Sequence, residues 1–186
     1  MPARPRLSLK ARAIGWLAQR EHSRSELRRK LLRRARADAA ADASTARAAP
    51  GNDRTASSAP DGSASSQREA SPVELEPAVD RLLDWLEAHD YLSQSRFAAA
   101  RVRLRAARHG AERIRQELAR HGVALDAEAL RGLRESELER AQAVWRRKFG
   151  HAAPDAAGRA RQARFLAGRG FSGEVIGRVV KGLPEG

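Results

Sequence analysis

Arginines recur along three predicted helices, and they are the strongest candidates for a functional role in this sequence. The planar guanidinium group matches the geometry of phosphates and carboxylates, so the chemistry it offers is anion binding. Eleven positions are candidates for this role: Arg24, Arg28, Arg29, Arg33, Arg34, Arg101, Arg105, Arg108, Arg113, Arg115 and Arg120. Residues 1–37 alone hold 12 basic and 2 acidic side chains, which is more than random surface charge would leave there. We therefore expect the arginines to share a binding surface, although each one singly also fits an ordinary exposed helix position.

Catalytic and metal chemistry lack the residues that they need. The sequence has no cysteine, no H-E-x-x-H pattern and no glycine-rich phosphate loop. The five histidines fall mostly at predicted helix ends, where capping of carbonyl groups is a better interpretation than metal binding; they are His22, His89, His109, His121 and His151. Asp80, Asp84 and Glu87 share a helix face without an electrophile beside them, which favours a solvated face over acid–base catalysis. We predict that the protein is not an enzyme and has no metal or cofactor.

The composition favours helices and a polyanionic partner. The chain has 186 residues and a formal charge of +13. Alanine supplies 38 residues, whereas valine and isoleucine together supply 11, a balance that favours helix over strand. Because the sequence has neither a long apolar run nor the apolar core of a signal peptide, we expect a cytoplasmic protein with no membrane association.

Helix signals follow one another outside one low-complexity segment. Ser23 and Glu26 have the spacing of a capping box, and helix starts are also predicted at Ser93, Asp126, Asp155 and Ser172. About eight helices result. Residues 38–77 consist largely of Ala, Ser, Asp, Pro and Gly, which cannot bury enough apolar surface to offset the entropy of ordering. This segment is predicted to be a disordered linker, mobile from Asp42 to about Ala70, although the alanine-rich run 35–49 also suits an extension of the preceding helix by a turn or two.

A repeat organises the helices. One spacing of aliphatic residues, ten and then four positions apart, occurs three times, at Leu17, Leu27 and Leu31, at Leu104, Ile114 and Leu118, and at Leu166, Ile176 and Val180. Each match predicts a helix, a tight break and a second helix packed against the first, and a third helix completes at least the first two units. The layout places two helices of repeat 1 in 1–37, the insertion in 38–77, the third helix of repeat 1 in 78–92, repeat 2 in 93–150 and repeat 3 in 151–186.

Aromatic residues could stack on nucleobases, but they are scarce. Phe, Trp and Tyr make up 4% of the chain. Trp16, Trp85 and Trp145 lie far apart in the sequence, so we predict that they anchor the cores of separate units.

Four strings that carry the repeat resemble the RecX family, bacterial regulators of the RecA recombinase. They are Ser23 to Leu31 (SRSELRRKL), Arg96 to Ala98, Gly110 to Leu118 (GAERIRQEL) and Arg169 to Ser172 (RGFS). The resemblance covers about residues 8–36 and 78–181. It implies an all-α fold, an elongated, curved array of three tandem three-helix repeats that resemble helix-turn-helix units. The predicted disordered insertion lies inside repeat 1, between its second and third helices, and is unusually long for the family. The resemblance also implies a partner, the RecA filament on single-stranded DNA.

The functional hypothesis combines the resemblance with the charge. We expect a monomer that binds the RecA–single-stranded DNA filament through the eleven arginines and modulates, most often inhibits, the recombinase in recombination, repair and the SOS response. Two alternatives remain open. One is a basic nucleic-acid-binding protein without a recombinase partner, and the other is a helical adaptor that does not contact nucleic acid. We expect reversal of Arg28, Arg29 and Arg33 to glutamate to weaken filament binding while helicity is retained.

Overall fold

The computed structural model describes residues 7–48 and 72–181, and every regular element in these ranges is an α-helix. The helices are α1 (Leu9–Gln19), α2 (Arg24–Ala48), α3 (Pro72–Ala88), α4 (Gln94–Ala106), α5 (Ala111–Arg120), α6 (Ala127–Glu135), α7 (Glu137–Phe149), α8 (Ala156–Ala167) and α9 (Gly173–Val180). The all-helical prediction is confirmed. The described ranges hold one helix more than predicted, because the long segment after Asp126 breaks into α6 and α7 at Ser136, whose hydroxyl donates to the Gly132 carbonyl at 2.9 Å.

Short polar side chains begin several helices as the sequence predicts. Four of the predicted starts accept a hydrogen bond from a backbone N–H in the first turn: Ser93, Asp126, Asp155 and Ser172. The Asp126 carboxylate, for example, accepts from the Ala129 N–H at 2.7 Å. Such caps satisfy N–H groups that have no partner inside the helix, so they fix where each helix starts.

The first compact unit contains α1, most of α2, and α3. Its core joins apolar residues of the three helices and of the segment that follows α3: Ala13, Leu27, Leu31, Leu32, Val79, Leu83, Leu86 and Leu92. Trp16 and Trp85 both pack against this one cluster, while Trp145 packs in the last cluster of the chain. The prediction of one tryptophan per separate unit is therefore wrong, because α1 and α3 meet in the same core.

The second compact unit contains residues 21–25 and the helices α4 to α9. It has two hydrophobic clusters. Phe97, Ile114, Leu118 and Leu133 belong to the cluster of α4, α5 and α6, and Ala141, Leu166, Val175, Ile176 and Val179 belong to that of α7, α8 and α9. Each cluster is the core of one three-helix repeat.

Leu104 departs from the predicted repeat. Its position was expected to match the core positions of Leu17 and Leu166, yet its side chain is 70% exposed. The side of α4 that packs on the cluster runs through Ala98 and Val102. Since Leu104 lies two residues after Val102, about 200° around the helix, it points to the opposite side.

Helix also occupies both ends of the predicted linker. The helix α2 continues to Ala48 and α3 begins at Pro72, because an alanine-rich run favours helix and proline is well suited to the first helical position. The rest of the predicted insertion, 49–71, lies outside the described residues.

The layout predicted from the sequence ends repeat 2 at residue 150 and so assigns α7 to that repeat. In the structure, Ala141 of α7 is fully buried in the cluster formed with α8 and α9.

Candidate polyanion interface

Arg28 of α2 binds acidic side chains of α3. Its Nε donates to Oδ1 of Asp80 at 2.6 Å and its Nη2 donates to Oδ2 of the same carboxylate at 3.0 Å. The Nη2 group also donates to Glu76 at 3.1 Å. These hydrogen bonds to two acids of α3 raise the pKa of Arg28 above its ordinary value, and the two-pronged contact ties α2 to α3.

Arg29 and Arg33 are exposed arginines of the same helix. Both side chains are exposed, and neither has an ion-pair partner in the ranges that the structure describes. They are four residues apart, so they share one side of α2. Arg34 pairs with Asp38 at 2.8 Å along the helix, and Arg24 is half-buried.

The arginines of α4 and α5 are largely paired with glutamates. Arg101 and Arg105 share Glu117, at 3.5 and 3.0 Å. Arg115 binds Glu112 at 2.9 Å, and its hydrogen bonds lower the pKa of that carboxyl group. Each of these acids thus neutralises cations that the sequence assigned to the binding surface.

The remaining predicted arginines are spread over several surroundings. Arg113 reaches the Gly168 carbonyl at 3.4 Å, Arg108 lines a cleft, and Arg120 is exposed in the last turn of α5. The structure therefore brings together Arg28 with α3 acids and Arg101 with Arg105, but it does not leave all eleven side chains equally accessible.

A basic cleft in the second unit contains cations that the sequence interpretation missed. It lies where the end of α4 meets α7 and α8, and its charged residues are Arg108, His109, Arg147, Lys148 and Arg169. Only Arg108 was predicted as a site residue. One signal could have found it, since Arg146 to Lys148 are three consecutive basic residues in the last turn of α7.

The junction between the two repeats of this unit positions the cleft. The Gly110 N–H donates to the Arg169 carbonyl at 3.0 Å, and the Glu112 N–H donates to the Gly170 carbonyl at 3.3 Å. The backbones approach so closely that a Cβ added at Gly110 would lie 2.1 Å from the Gly170 carbonyl oxygen. His109 and Arg169, the neighbours of these glycines, are thereby held on two walls of the cleft.

A buried carboxylate and a half-buried guanidinium strengthen that junction. The Glu137 carboxylate, 3% exposed, accepts from the Ala111 N–H at 2.8 Å, so it caps α5 from α7. The Arg140 guanidinium donates to the carbonyls of Ala106 at 3.0 Å and His109 at 2.7 Å, and also to that of Leu133. Burial lowers the pKa of Arg140.

The other residues considered for chemistry have structural surroundings. In the described part of the chain, no three His, Asp or Glu side chains lie close enough together to hold a metal ion. His89 donates from Nδ1 to the Trp85 carbonyl at 2.8 Å, as the capping interpretation predicts. The Trp85 ring stacks on His89 with centroids 4.0 Å apart and has the Lys10 ammonium 3.3 Å from its centroid. Asp80 pairs with Arg28 at 2.6 Å, so it is not simply solvated.

None of the described helices has the length and apolar character needed to cross a lipid bilayer.

Two family models match the second unit. The model described as "RecX, second three-helix domain" matches residues 93–127, and the one described as "RecX, third three-helix domain" matches residues 135–180. These ranges contain α4–α5 and α7–α9 in full, and they agree with the two hydrophobic clusters.

Relatives over nearly the whole length carry one name, "Regulatory protein RecX". The protein of Ralstonia nicotianae is 41% identical, over 98% of this chain and 91% of its own length. That of Leptothrix cholodnii is 41% identical, over 96% and 90%, and that of Herminiimonas arsenicoxydans is 38% identical, over 98% and 97%. All three are named as regulatory proteins, and none is named as an enzyme.

A solved structure shares the fold. The structure described as "Crystal structure of regulatory protein RecX" superimposes with a TM-score of 0.53 at 17% identity, covering 94% of this chain and 72% of that one. Together with the helix repeats and the near full-length relatives, these matches show that the chain belongs to the RecX family of regulatory proteins.

Proposed function

We propose that the protein binds the RecA filament on single-stranded DNA and inhibits the recombinase. Membership of the RecX family is the observation that carries this proposal. It is supported by the positive charge of the chain, +13, because a nucleoprotein filament is a polyanion. The protein acts without catalysis, as a monomer in the bacterial cytoplasm, and thereby affects recombination, repair and the SOS response.

Binding works by occupation of sites that the filament needs. The helical repeats bridge adjacent RecA protomers, while exposed arginines contact acidic protein patches and the DNA backbone. Bound in this way, the protein blocks protomer addition or the entry of a second strand. On α2, the exposed pair Arg29 and Arg33 is best suited to contact the filament, because Arg28 already donates hydrogen bonds to Asp80 and Glu76.

Hydrolysis of ATP by RecA on single-stranded DNA provides the test. The wild-type protein is expected to lower the hydrolysis rate in a concentration-dependent manner. The variant Arg29→Glu/Arg33→Glu should weaken inhibition at least about tenfold, because two charge-assisted contacts become repulsive. The matched control is Arg161→Glu/Arg164→Glu, which reverses two exposed arginines of α8. Equal loss in both variants would show that only total charge matters.

The two alternatives give different results in the same experiment. A nucleic-acid-binding protein without a recombinase partner binds naked strands with a steep salt dependence but leaves hydrolysis unchanged once DNA is in excess. A helical adaptor that never contacts nucleic acid gives a flat salt response with naked DNA. Unchanged hydrolysis at saturating protein would contradict the proposed function.

A further inference from the structure

The basic cleft of the second unit is a concave site whose lining includes apolar residues. Its volume is about 420 Å³, and Val144 and Phe165 line it together with the basic residues. Clefts of roughly 300–1,000 Å³ suit groups the size of a nucleotide.

Charge in the cleft is uncompensated, unlike that of the arginines on α4 and α5. Arg108, Arg147, Lys148 and Arg169 contribute four permanent positive charges, and none of the described residues that line the cleft is acidic. His109 adds no fifth charge near neutral pH, because burial and the nearby Arg113, Arg105 and Arg169 lower its pKa. Like charges gathered without counter-ions repel each other, so an anion in the cleft removes an existing electrostatic cost.

Part of the cleft is held in place before a ligand arrives. The Arg169 guanidinium lies 3.6 Å from the centroid of the Phe165 ring, and that ring meets Phe149 edge to face at 5.1 Å. The Arg169 backbone is fixed by its hydrogen bond from Gly110. A preorganised guanidinium loses little side-chain entropy on binding, which favours affinity.

We propose that this cleft binds the phosphodiester backbone of a single nucleic-acid strand. Guanidinium forks match phosphate oxygens, the four cations in the lining supply positive charge for several phosphates, and Val144 and Phe165 give the sugars an apolar surface. A segment made of Asp and Glu would use the cations but presents ionised side chains, rather than sugars, to Val144 and Phe165. The inference rests on the proposed function, since it assigns the DNA contact of the filament complex to the junction of the second and third repeats, and it can fail independently.

Binding of the full-length protein to a fluorescein-labelled oligo(dT) strand, without recombinase, tests the inference. The variant Arg147→Gln/Lys148→Gln removes two exposed cations of the cleft, whereas the control Arg161→Gln/Arg164→Gln removes two exposed arginines of α8 that do not line it. The cleft variant should bind on the order of tenfold more weakly at low salt, and its slope of log K against log salt should be smaller by about 1.4, or about 0.7 per phosphate contact. The control should change little.

Each outcome decides the matter. Selective loss in the cleft variant supports the inference, whereas equal loss in both variants, or no loss in either, overturns it. A poly-glutamate chain of matched charge provides a second arm: if it binds through the cleft while oligo(dT) does not, the ligand is an acidic protein segment and the inference is wrong. Inorganic phosphate, compared with chloride at equal ionic strength, distinguishes a free phosphate from a strand: competition by millimolar phosphate as effective as that by oligo(dT), counted per phosphate, would overturn the strand assignment.

The ATP hydrolysis assay separates this inference from the proposed function. If wild-type protein inhibits RecA but the cleft variant binds strands normally, the cleft inference alone fails. If strand binding depends on the cleft but RecA is unaffected, the proposed function alone fails.

Discussion

Arginine clusters in two regions of this molecule have opposite electrostatic surroundings. On α2, Arg28 meets the two acids Asp80 and Glu76 of α3, so much of its charge serves the packing of two helices. In the basic cleft, Arg147 and Arg169 have no acid beside them among the lining residues. The density of arginine along a sequence therefore does not measure the affinity of a surface for anions. That affinity also depends on the acidic side chains that the fold places beside each arginine cluster.

The difference arises from contacts between residues distant in sequence. Asp80 follows Arg28 by 52 residues, and Arg169 follows Arg108 by 61 positions. The densest basic block of the chain, residues 1–37, is therefore partly neutralised, while the cleft, assembled from separate segments, has four cations and no acid in its lining. Substitutions that disturb one region and spare the other should therefore differ in their effects on stability and on anion binding.

The largest effect is expected at the junction that holds the cleft. Replacing Gly110 with alanine places a methyl group 2.1 Å from the Gly170 carbonyl oxygen and 2.4 Å from the Phe171 Cα. Backbone atoms cannot rotate away as a side chain does, so the second unit should lose about 3 kcal/mol of unfolding free energy or more. Thermal denaturation measures the loss, and hydrogen exchange should show faster opening in α4–α9 than in the first unit.

Gly132→Ala is the matched control for that substitution. Gly132 lies inside α6 and a Cβ there would meet no heavy atom within 4 Å, so alanine should stabilise the helix by up to about 1 kcal/mol. If Gly110→Ala is as harmless as Gly132→Ala, the junction does not hold the cleft.

The next largest effect concerns Arg140, which joins the ends of α4 and α6. Arg140→Met keeps an unbranched, flexible side chain but leaves the carbonyls of Ala106, His109 and Leu133 without this donor. Loss of the hydrogen bonds should reduce the free energy of unfolding by about 2–3 kcal/mol. Urea denaturation measures it, and Arg140→Lys should recover part of the loss. A methionine variant as stable as wild type would show that water replaces the guanidinium at no cost.

Sequence reasoning predicts much of the fold, because the fold depends on local signals. The caps at Ser93 and Asp126 and the buried positions Leu27 and Ile114 follow from spacing along one or two helices. Leu104 shows the limit of such reasoning, since the periodicity of α4 permits two apolar sides and only packing against α5 and α6 selects the one that contains Val102.

The candidate site was predictable only in part, because it depends on pairs. Sequence identifies Arg28 and Arg29 as equivalent cations, yet one is tied to α3 and the other is exposed. The cleft combines Arg108, Arg147 and Arg169 from three segments far apart in the chain, and no spacing rule joins them. Glu137 and Arg140 have unremarkable positions in the sequence, so their roles at the junction require the structure.

A smaller effect distinguishes the two neighbouring arginines of α2. Arg28→Gln removes the bidentate contact with Asp80 and should lower the midpoint of thermal unfolding by about 2 °C, since surface ion pairs contribute little individually. Arg29→Gln should leave the midpoint unchanged and weaken inhibition of RecA instead. Calorimetry and the ATP hydrolysis assay, applied to both variants, check the division. Equal midpoints for the two variants would mean that the Arg28 contact contributes nothing to the fold.

The smallest expected effect is the response of the cleft to pH. The groups around His109 are Arg105, Arg113 and Arg169, with Glu117 opposing them, and Arg108, Arg147 and Lys148 line the same cleft. Burial is the main cause of the lowered pKa of His109, and the arginines add to it. Above pH 6.5, the ordinary histidine pKa, the folded and unfolded chains both hold His109 neutral, so it contributes no pH dependence.

As the pH falls below 6.5, the unfolded chain takes up a proton that the folded chain resists, so the free energy of unfolding decreases until the pH reaches the lower folded pKa. His109→Gln removes this proton uptake. Between pH 7.5 and 5.5 the thermal midpoint of wild type should therefore fall further than that of the variant, by about 1–2 °C, because partial exposure screens the charges. Thermal scans of both proteins at constant ionic strength measure this difference. A wild-type midpoint that falls no further than that of His109→Gln would show that neither burial nor the neighbouring arginines oppose protonation of His109 in the folded protein.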